Sequence, residues 1–127
     1  MSDFNTQHNR AVWFDIPVAD LERAASFYRA VLAIQMHREQ FQGSPFYVLE
    51  HAGGNGGCLV VHPSAIGTAG VLVYLNVDGR IRDAARQAEH QGGRVVEPIR
   101  SIGPHGFRAV ILDSEGNRVA LHSRADA

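Results

Sequence analysis

Apolar residues follow two different patterns along this chain, and together the patterns predict helices separated by short strands. From Asp20 to Leu32 they recur every three or four positions, which predicts an amphipathic helix whose first turn is capped by Asp20. The same spacing predicts a second helix over residues 80–91, ended by Gly92-Gly93. Elsewhere the apolar runs are short and bounded by Gly, Pro, Asn or Ser, which predicts strands. These strands are expected at residues 11–16, 34–39, 45–51, 57–62, 71–77, 94–98, 107–112 and 118–123.

The order strand, helix, three strands occurs twice, about 60 residues apart. Ala24-Ala25 in the first helix matches Ala84-Ala85 in the second, and Val60-Val61-His62 matches Ala120-Leu121-His122. A repeat of this length contains a whole supersecondary unit, and a small curved sheet with one helix cannot cover both its faces. The sequence therefore predicts an α+β fold in which two βαβββ modules form a curved mixed sheet around a shared cleft. Within a single domain, the expected division is a polar arm at 1–9, a first module at 10–63, a linker at 64–70 and a second module at 71–124.

Composition narrows the class of protein. The chain has 127 residues, 45% of them hydrophobic and 20% charged, as expected for one soluble globular domain. Its net charge of −1 gives no electrostatic footprint for nucleic acid or for an acidic membrane. No apolar stretch has the length of a signal-peptide core or a membrane span, so a cytoplasmic protein is expected. Cys58 is the single cysteine and stands in an apolar run, which favours a buried, inert thiol.

Two strings of residues carry a family resemblance. They are Asp20-Leu21-Glu22-Arg23-Ala24-Ala25-Ser26-Phe27-Tyr28 at the first helix and Asp113-Ser114-Glu115-Gly116-Asn117-Arg118-Val119 at the last turn. With the two ordered halves, they resemble the vicinal oxygen chelate superfamily, which includes glyoxalase I, bleomycin-resistance proteins, fosfomycin-resistance enzymes and extradiol dioxygenases. The resemblance runs from about residue 11 to residue 123 and looks closest to small bacterial glyoxalase-like proteins. It implies the two-module fold and, because family members commonly pair, a homodimer.

The resemblance also implies where a metal would be held. In metal-dependent members such as glyoxalase I, the first and last strands of each module supply His or Glu ligands to a divalent metal. Matched on the two strings, those positions are occupied here by Trp13, Val60, Leu72 and Ala120. None of these side chains coordinates a metal, so neither a cofactor nor metal-dependent glyoxalase I activity is expected. A lyase of the lactoylglutathione-lyase type would rest on kinship alone.

Strand geometry adds a second set of residues to the predicted cleft. Side chains two positions apart on a strand point to the same side. If Trp13, Val60, Leu72 and Ala120 face the cleft, then so do four polar residues further along the same strands. These are Asp15, His62, Tyr74 and His122. The eight residues form the predicted ligand-binding set, and one of Phe46 and Tyr47 is expected to join them.

Three interpretations of the polar residues remain open. In the first, the histidines are neutral and hydrogen-bonded, and the protein binds a small, partly apolar organic molecule without turnover. In the second, His62 and His122 act as acid and base in a lyase or isomerase, because histidine titrates near neutral pH. In the third, Asp15 joins the two histidines in a displaced divalent-metal site. The binding interpretation is the leading hypothesis. Trp13 is either a stacking surface for that ligand or a core residue.

Overall fold

The computed structural model describes residues 8–127, and within that range the chain forms two four-stranded sheets and two α-helices. The first half contributes β1 (Asp15–Val18), α1 (Leu21–Leu32), β2 (Met36–Phe41), β3 (Ser44–Leu49) and β4 (Cys58–Val61). The second half contributes β5 (Tyr74–Asn76), α2 (Ile81–His90), β6 (Arg94–Ser101), β7 (Phe107–Leu112) and β8 (Arg118–Ser123). Short 3₁₀ turns follow β4 at Pro63–Ala65 and β6 at Gly103–His105. Most of the predicted N-terminal arm lies outside the described residues.

Both sheets have the same strand order. The first runs β1-β4-β3-β2 and the second β5-β8-β7-β6. In each sheet the first strand pairs parallel with the last, and the other neighbours are antiparallel. The predicted α+β fold with two βαβββ modules is confirmed. Neither helix in this part of the chain is long and apolar enough to cross a membrane.

Helix α1 forms where the sequence predicts it. The Asp20 carboxylate accepts a hydrogen bond from the Arg23 backbone N–H at 3.0 Å, which satisfies one of the donors left free in the first turn. Ala33 ends the helix in the left-handed conformation, with φ of 54°. The buried face consists of Leu21, Ala24, Ala25, Phe27, Tyr28 and Val31. Helix α2 packs against α1, and the Arg80 guanidinium at its start donates to the Val31 carbonyl at 2.6 Å.

The first strand differs from the prediction. The sequence predicts residues 11–16, with Pro17 as the terminator, whereas β1 runs through Pro17 to Val18. Proline lacks an N–H donor, and it is tolerated in an edge strand, where one side of the backbone has no ladder partner. β1 is the edge strand of its sheet, so the missing donor costs nothing there.

The turn between β7 and β8 joins the second module to the first. The Tyr28 hydroxyl donates to the buried Asp113 carboxylate at 2.6 Å, and burial together with that carboxylate raises the pKa of Tyr28 well above its usual value. Glu115 accepts from the backbone N–H groups of Ala19 and Asp20 and from the Arg23 guanidinium. Burial alone would raise the pKa of Glu115, but these donors hold it at about 2. The turn belongs to the second module and therefore caps α1 of the first module.

Candidate functional site

A concave pocket lies on the face of the first sheet that is turned away from α1. Alternation along the strands produces it: on β3, Tyr47 and Leu49 belong to the core under α1, whereas Phe46 and Val48 point to the other side. The volume of about 870 Å³ is within the range of small-molecule sites. We call it the first-sheet pocket, and its lining is Trp13, Asp15, Glu39, Phe41, Gln42, Ser44, Pro45, Phe46, Val48, Cys58, Val60 and Val61.

The segment before β1 brings Trp13 to this pocket. The Cys58 backbone N–H donates to the Phe14 carbonyl at 3.0 Å, and the Asn55 side-chain amide donates to the Ala11 carbonyl. Gly57 permits this approach, because a Cβ there would lie 2.5 Å from the Phe14 carbonyl oxygen. The half-buried indole of Trp13 is therefore held beside β4 and lines the pocket.

Trp13 also contacts the glycine-rich turn between β3 and β4. Its ring meets the His51 ring edge to face, with centroids 5.9 Å apart and an interplanar angle of 87°. Such a contact fixes the tilt of the indole. Loop and strand together give the pocket an aromatic wall of defined orientation.

The thiol of Cys58 lies at the bottom of the pocket and is protonated near neutral pH. It stands opposite Asp15 in the β1–β4 ladder and donates to the Asp15 carboxylate at 3.2 Å. Burial raises the pKa of the thiol to about 11; a hydrogen bond with Trp13 opposes the rise, and the charges of Asp15 and Glu39 add to it. The sulfur is therefore a weak nucleophile, which agrees with the buried, inert thiol expected from the sequence.

Two carboxylates face this apolar surface. Asp15 stands on β1, and Glu39 stands on β2, opposite Phe46 in the ladder. The lining contains no Lys, Arg or His among the described residues. Arg38, the neighbour of Glu39, points to the opposite face, where its guanidinium pairs with Glu22 at 2.6 Å. The pocket is thus apolar and negatively charged.

Phe46 is the member of the Phe46–Tyr47 pair that lines the pocket. Tyr47 is 8% exposed and belongs to the core. Its hydroxyl donates to Glu22 on α1 at 2.8 Å, and the Arg38 guanidinium lies over its ring.

The matching face of the second sheet is occupied by its own side chains. The Arg108 guanidinium donates to the Tyr74 hydroxyl, lies 5.8 Å from the centre of that ring, and approaches Glu97 at 3.4 Å. The ring Nε2 of His122 donates to the His105 carbonyl at 2.7 Å. Ala120 is fully buried. Tyr74, Glu97 and His122 and the terminal nitrogens of Arg108 are therefore engaged within their own module.

The structure places the eight predicted residues in separate environments. Trp13, Asp15 and Val60 line the first-sheet pocket. The four residues of the second half are Leu72, Tyr74, Ala120 and His122, and none of them contributes to that lining. His62 follows β4, is exposed, and does not line the pocket either. A ligand role for these residues and a cleft shared by both modules stay predictions.

The residues present do not fit the metal site that the resemblance implies. The four matched positions carry Trp13, Val60, Leu72 and Ala120, none of which has a donor atom for a divalent ion. Over residues 8–127, no three His, Cys, Asp or Glu side chains form a group able to hold a metal ion. Asp15, His62 and His122 are not gathered into such a group within these residues of one chain, and the displaced metal site stays a prediction.

The sequence does not predict several residues that line the pocket, notably Glu39, Phe41 and Val48. On β2 only Met36 is buried and the remaining residues are exposed, so hydrophobic alternation gives no face for Glu39. Its position follows from the antiparallel register with Phe46, which joins residues through tertiary pairing. The one available signal was the expectation that β3 presents an aromatic side chain to the cleft.

Comparison with known proteins supports the fold. The family model of the glyoxalase/bleomycin resistance protein/dioxygenase superfamily matches residues 10–121. A search of curated proteins found no match. A hypothetical protein from S. aureus has a similar structure, with a TM-score of 0.71 and 18% identity over 91% of this chain and 94% of that one.

Two further solved structures share the fold. A family enzyme from Burkholderia phytofirmans has a TM-score of 0.67 and 20% identity, over 87% of this chain and 95% of that one. The genomically encoded fosfomycin resistance protein FosX from Listeria monocytogenes has a TM-score of 0.68 and 14% identity, over 91% of this chain and 93% of that one. At such identities the likeness concerns the fold alone.

Proposed function

Because the chain belongs to the glyoxalase/bleomycin resistance protein/dioxygenase superfamily, we propose that it binds a small, partly apolar organic molecule in the first-sheet pocket without a resident metal ion. One observation carries the proposal. A pocket of about 870 Å³ has aromatic and aliphatic walls, including Trp13 and Val60 at positions matched to metal ligands in relatives. Apolar walls with a few polar groups are typical of small-molecule sites.

Binding or sequestration, rather than turnover, is the function these side chains support best. Acid–base catalysis requires a group whose pKa lies near the working pH and which reaches the reacting atom. Cys58 is protonated at neutral pH, and neither His62 nor His122 lines the pocket. The proposal includes a cytoplasmic homodimer, in which a second chain would complete the cleft over the open face of the first sheet.

Filling the pocket tests the proposal. A set of small aromatic compounds is screened against the protein by ligand-observed NMR and by the shift in melting temperature, since a ligand that binds only the native state raises it. Val60→Trp should abolish the effects of compounds that bind. The matched control, Val71→Trp, places the same side chain on an 88% exposed position outside the pocket and should preserve them. Compounds that bind both variants equally would place the site elsewhere.

Metal analysis tests the alternative, a lyase or isomerase that uses His62 and His122 or a displaced metal. Purified protein is analysed for bound metal and then titrated with zinc, nickel and iron. The binding proposal expects no stoichiometric uptake. Tight metal binding at one ion per chain, abolished by His62→Ala or His122→Ala, would overturn it. Sedimentation measures the expected homodimer independently.

A further inference from the structure

The charge of the first-sheet pocket identifies the kind of ligand it fits. Asp15 and Glu39 are carboxylates on an otherwise largely apolar surface. The Cys58 thiol is the described hydrogen-bond donor to Asp15, and no described residue pairs with the side chain of Glu39. A thiol is a weak donor, so both carboxylates keep most of their capacity to accept hydrogen bonds and to attract a cation.

Two arginines of the first module, Arg38 and Arg23, are engaged away from this face. Arg38 precedes Glu39 on β2, but strand alternation sends it to the side of α1, where it pairs with Glu22 at 2.6 Å and lies over the Tyr47 ring. Arg23 on α1 pairs with Glu115 at 2.8 Å. Neither guanidinium neutralises the pocket.

The aromatic residues of the pocket favour the same sign of charge. The face of an indole or phenyl ring carries negative potential, so a cation held above it is attracted. Trp13 lines the wall beside Asp15, and Phe46 stands opposite Glu39 in the β2–β3 ladder. Each carboxylate thus has an aromatic neighbour on the same surface. An anion would be repelled by both carboxylates and by both ring faces.

We propose that the ligand of the first-sheet pocket is an organic cation, an amine or ammonium compound with a planar apolar body. The body packs against Trp13 and Phe46, and the positive charge lies at the carboxylate of Asp15 or of Glu39, which stand on the two edge strands of the sheet. This inference rests on the proposed binding function and adds the charge of the ligand. The apolar body supplies the buried area, and the charge supplies selectivity between molecules of similar shape.

Three probes of matched size separate charge from shape: phenethylammonium, 2-phenylethanol and phenylacetate. Their dissociation constants are measured at low and at high salt by ligand-observed NMR. We expect phenethylammonium to bind about fivefold to tenfold more tightly than 2-phenylethanol, as for a charge-assisted contact at a half-exposed site. Phenylacetate should bind more weakly than either. The preference for the cation should shrink as salt screens the carboxylates.

Substitution of the carboxylates identifies the source of the preference. The double variant Asp15→Asn/Glu39→Gln should bind phenethylammonium and 2-phenylethanol equally, with the affinity for 2-phenylethanol unchanged. A matched control, Glu89→Gln/Asp126→Asn, removes the same net charge from exposed positions outside the pocket and should keep the preference. A preference lost in both variants would trace it to net charge and overturn the assignment to Asp15 and Glu39.

The outcomes distinguish this inference from the function on which it rests. Suppose that the unchanged protein binds phenethylammonium and 2-phenylethanol equally and that Val60→Trp binds neither. This result overturns the proposal that the ligand is a cation and leaves the pocket as a binding site. If no probe binds at millimolar concentration, or if Val60→Trp leaves their binding intact, both proposals fail.

Discussion

The two sheets have the same strand order, but the open face of the first forms a pocket, whereas that of the second is occupied by its own side chains. On the first sheet, Trp13, Phe46 and Val60 line an open pocket. The carboxylates of Asp15 and Glu39 face this pocket without a basic partner among the described residues. On the second sheet, the Arg108 side chain lies across Tyr74 and reaches Glu97, which occupies the corresponding area. The internal repeat thus preserves the backbone architecture, whereas the side chains that decide whether each face is open differ between the two sheets.

The difference shows that, in a repeated fold, one sheet can contribute mainly to stability while the other keeps a surface for binding. A face whose polar groups pair with one another gains stability and has little left to offer a ligand. A face with apolar walls and carboxylates that have no basic partner among the described residues keeps surface that a ligand can contact. The two modules are joined by the packing of α2 against α1 and by the turn from Asp113 to Asn117, which contacts β1 and α1 and is called the joint below.

The largest expected effect concerns that joint. Asp113→Ala removes the acceptor for the Tyr28 hydroxyl and for two backbone N–H groups in a buried environment. We expect the free energy of unfolding to fall by about 3 kcal/mol, since several buried donors lose their partner. Urea titration measures it. Asp20→Ala, which removes only the cap of α1, serves as the control and should cost about 1 kcal/mol. Equal losses would show that the joint adds nothing beyond a helix cap.

Acid weakens the same joint through Glu115. The folded state lowers the pKa of this carboxyl to about 2, below its unfolded value of about 4.3, so its stabilisation is complete above the unfolded pKa and is lost as the pH falls through the folded one. Glu115→Gln should cost about 1 to 2 kcal/mol at pH 7, discounted because Arg23 is half exposed. The difference between the two proteins should decline between about pH 5 and pH 2. Urea titrations at several pH values measure this, and a constant difference would contradict it.

The sequence predicts the backbone of both faces better than their side-chain environment. The periodicity of α1 and the turns that bound β7 and β8 are local signals, and those elements form where they are predicted. Pro17 misled the prediction of β1, because edge position depends on the whole sheet. The filling of the second face could not be predicted, since the contact between Arg108 and Tyr74 joins positions 34 residues apart on different strands. The repeat predicts that equivalent residues of the two modules lie together, whereas the long Arg108 side chain lies over Tyr74 on the second face.

Arg108→Ala removes the side chain that occupies the open face of the second sheet. The guanidinium is 19% exposed and pairs with Glu97 and Tyr74, so its removal should lower the free energy of unfolding by about 1 kcal/mol. Arg100→Ala is the matched control, because Arg100 approaches the same Glu97 at 3.9 Å from a 56% exposed position. That control should cost less than about 0.5 kcal/mol. Binding of phenethylammonium should be unchanged in both variants. Reduced binding in Arg108→Ala alone would mean that the two faces act together on the ligand.

The smallest expected effect is a change in the alkylation rate of Cys58, the thiol on the open face of the first sheet. Because burial raises the pKa of Cys58 to about 11, only about one molecule in a thousand is a thiolate at pH 8, and alkylation by iodoacetamide should be correspondingly slow. Asp15→Asn removes the charge nearest to the sulfur, so the thiol pKa should fall and the alkylation rate at pH 8 should rise about threefold. Asp126→Asn changes the net charge equally and should leave the rate unchanged. A wild-type rate close to that of free cysteine, or no response to Asp15→Asn, would mean that the carboxylate does not face the buried sulfur, and the electrostatic contrast between the two sheets would lose its support at this position.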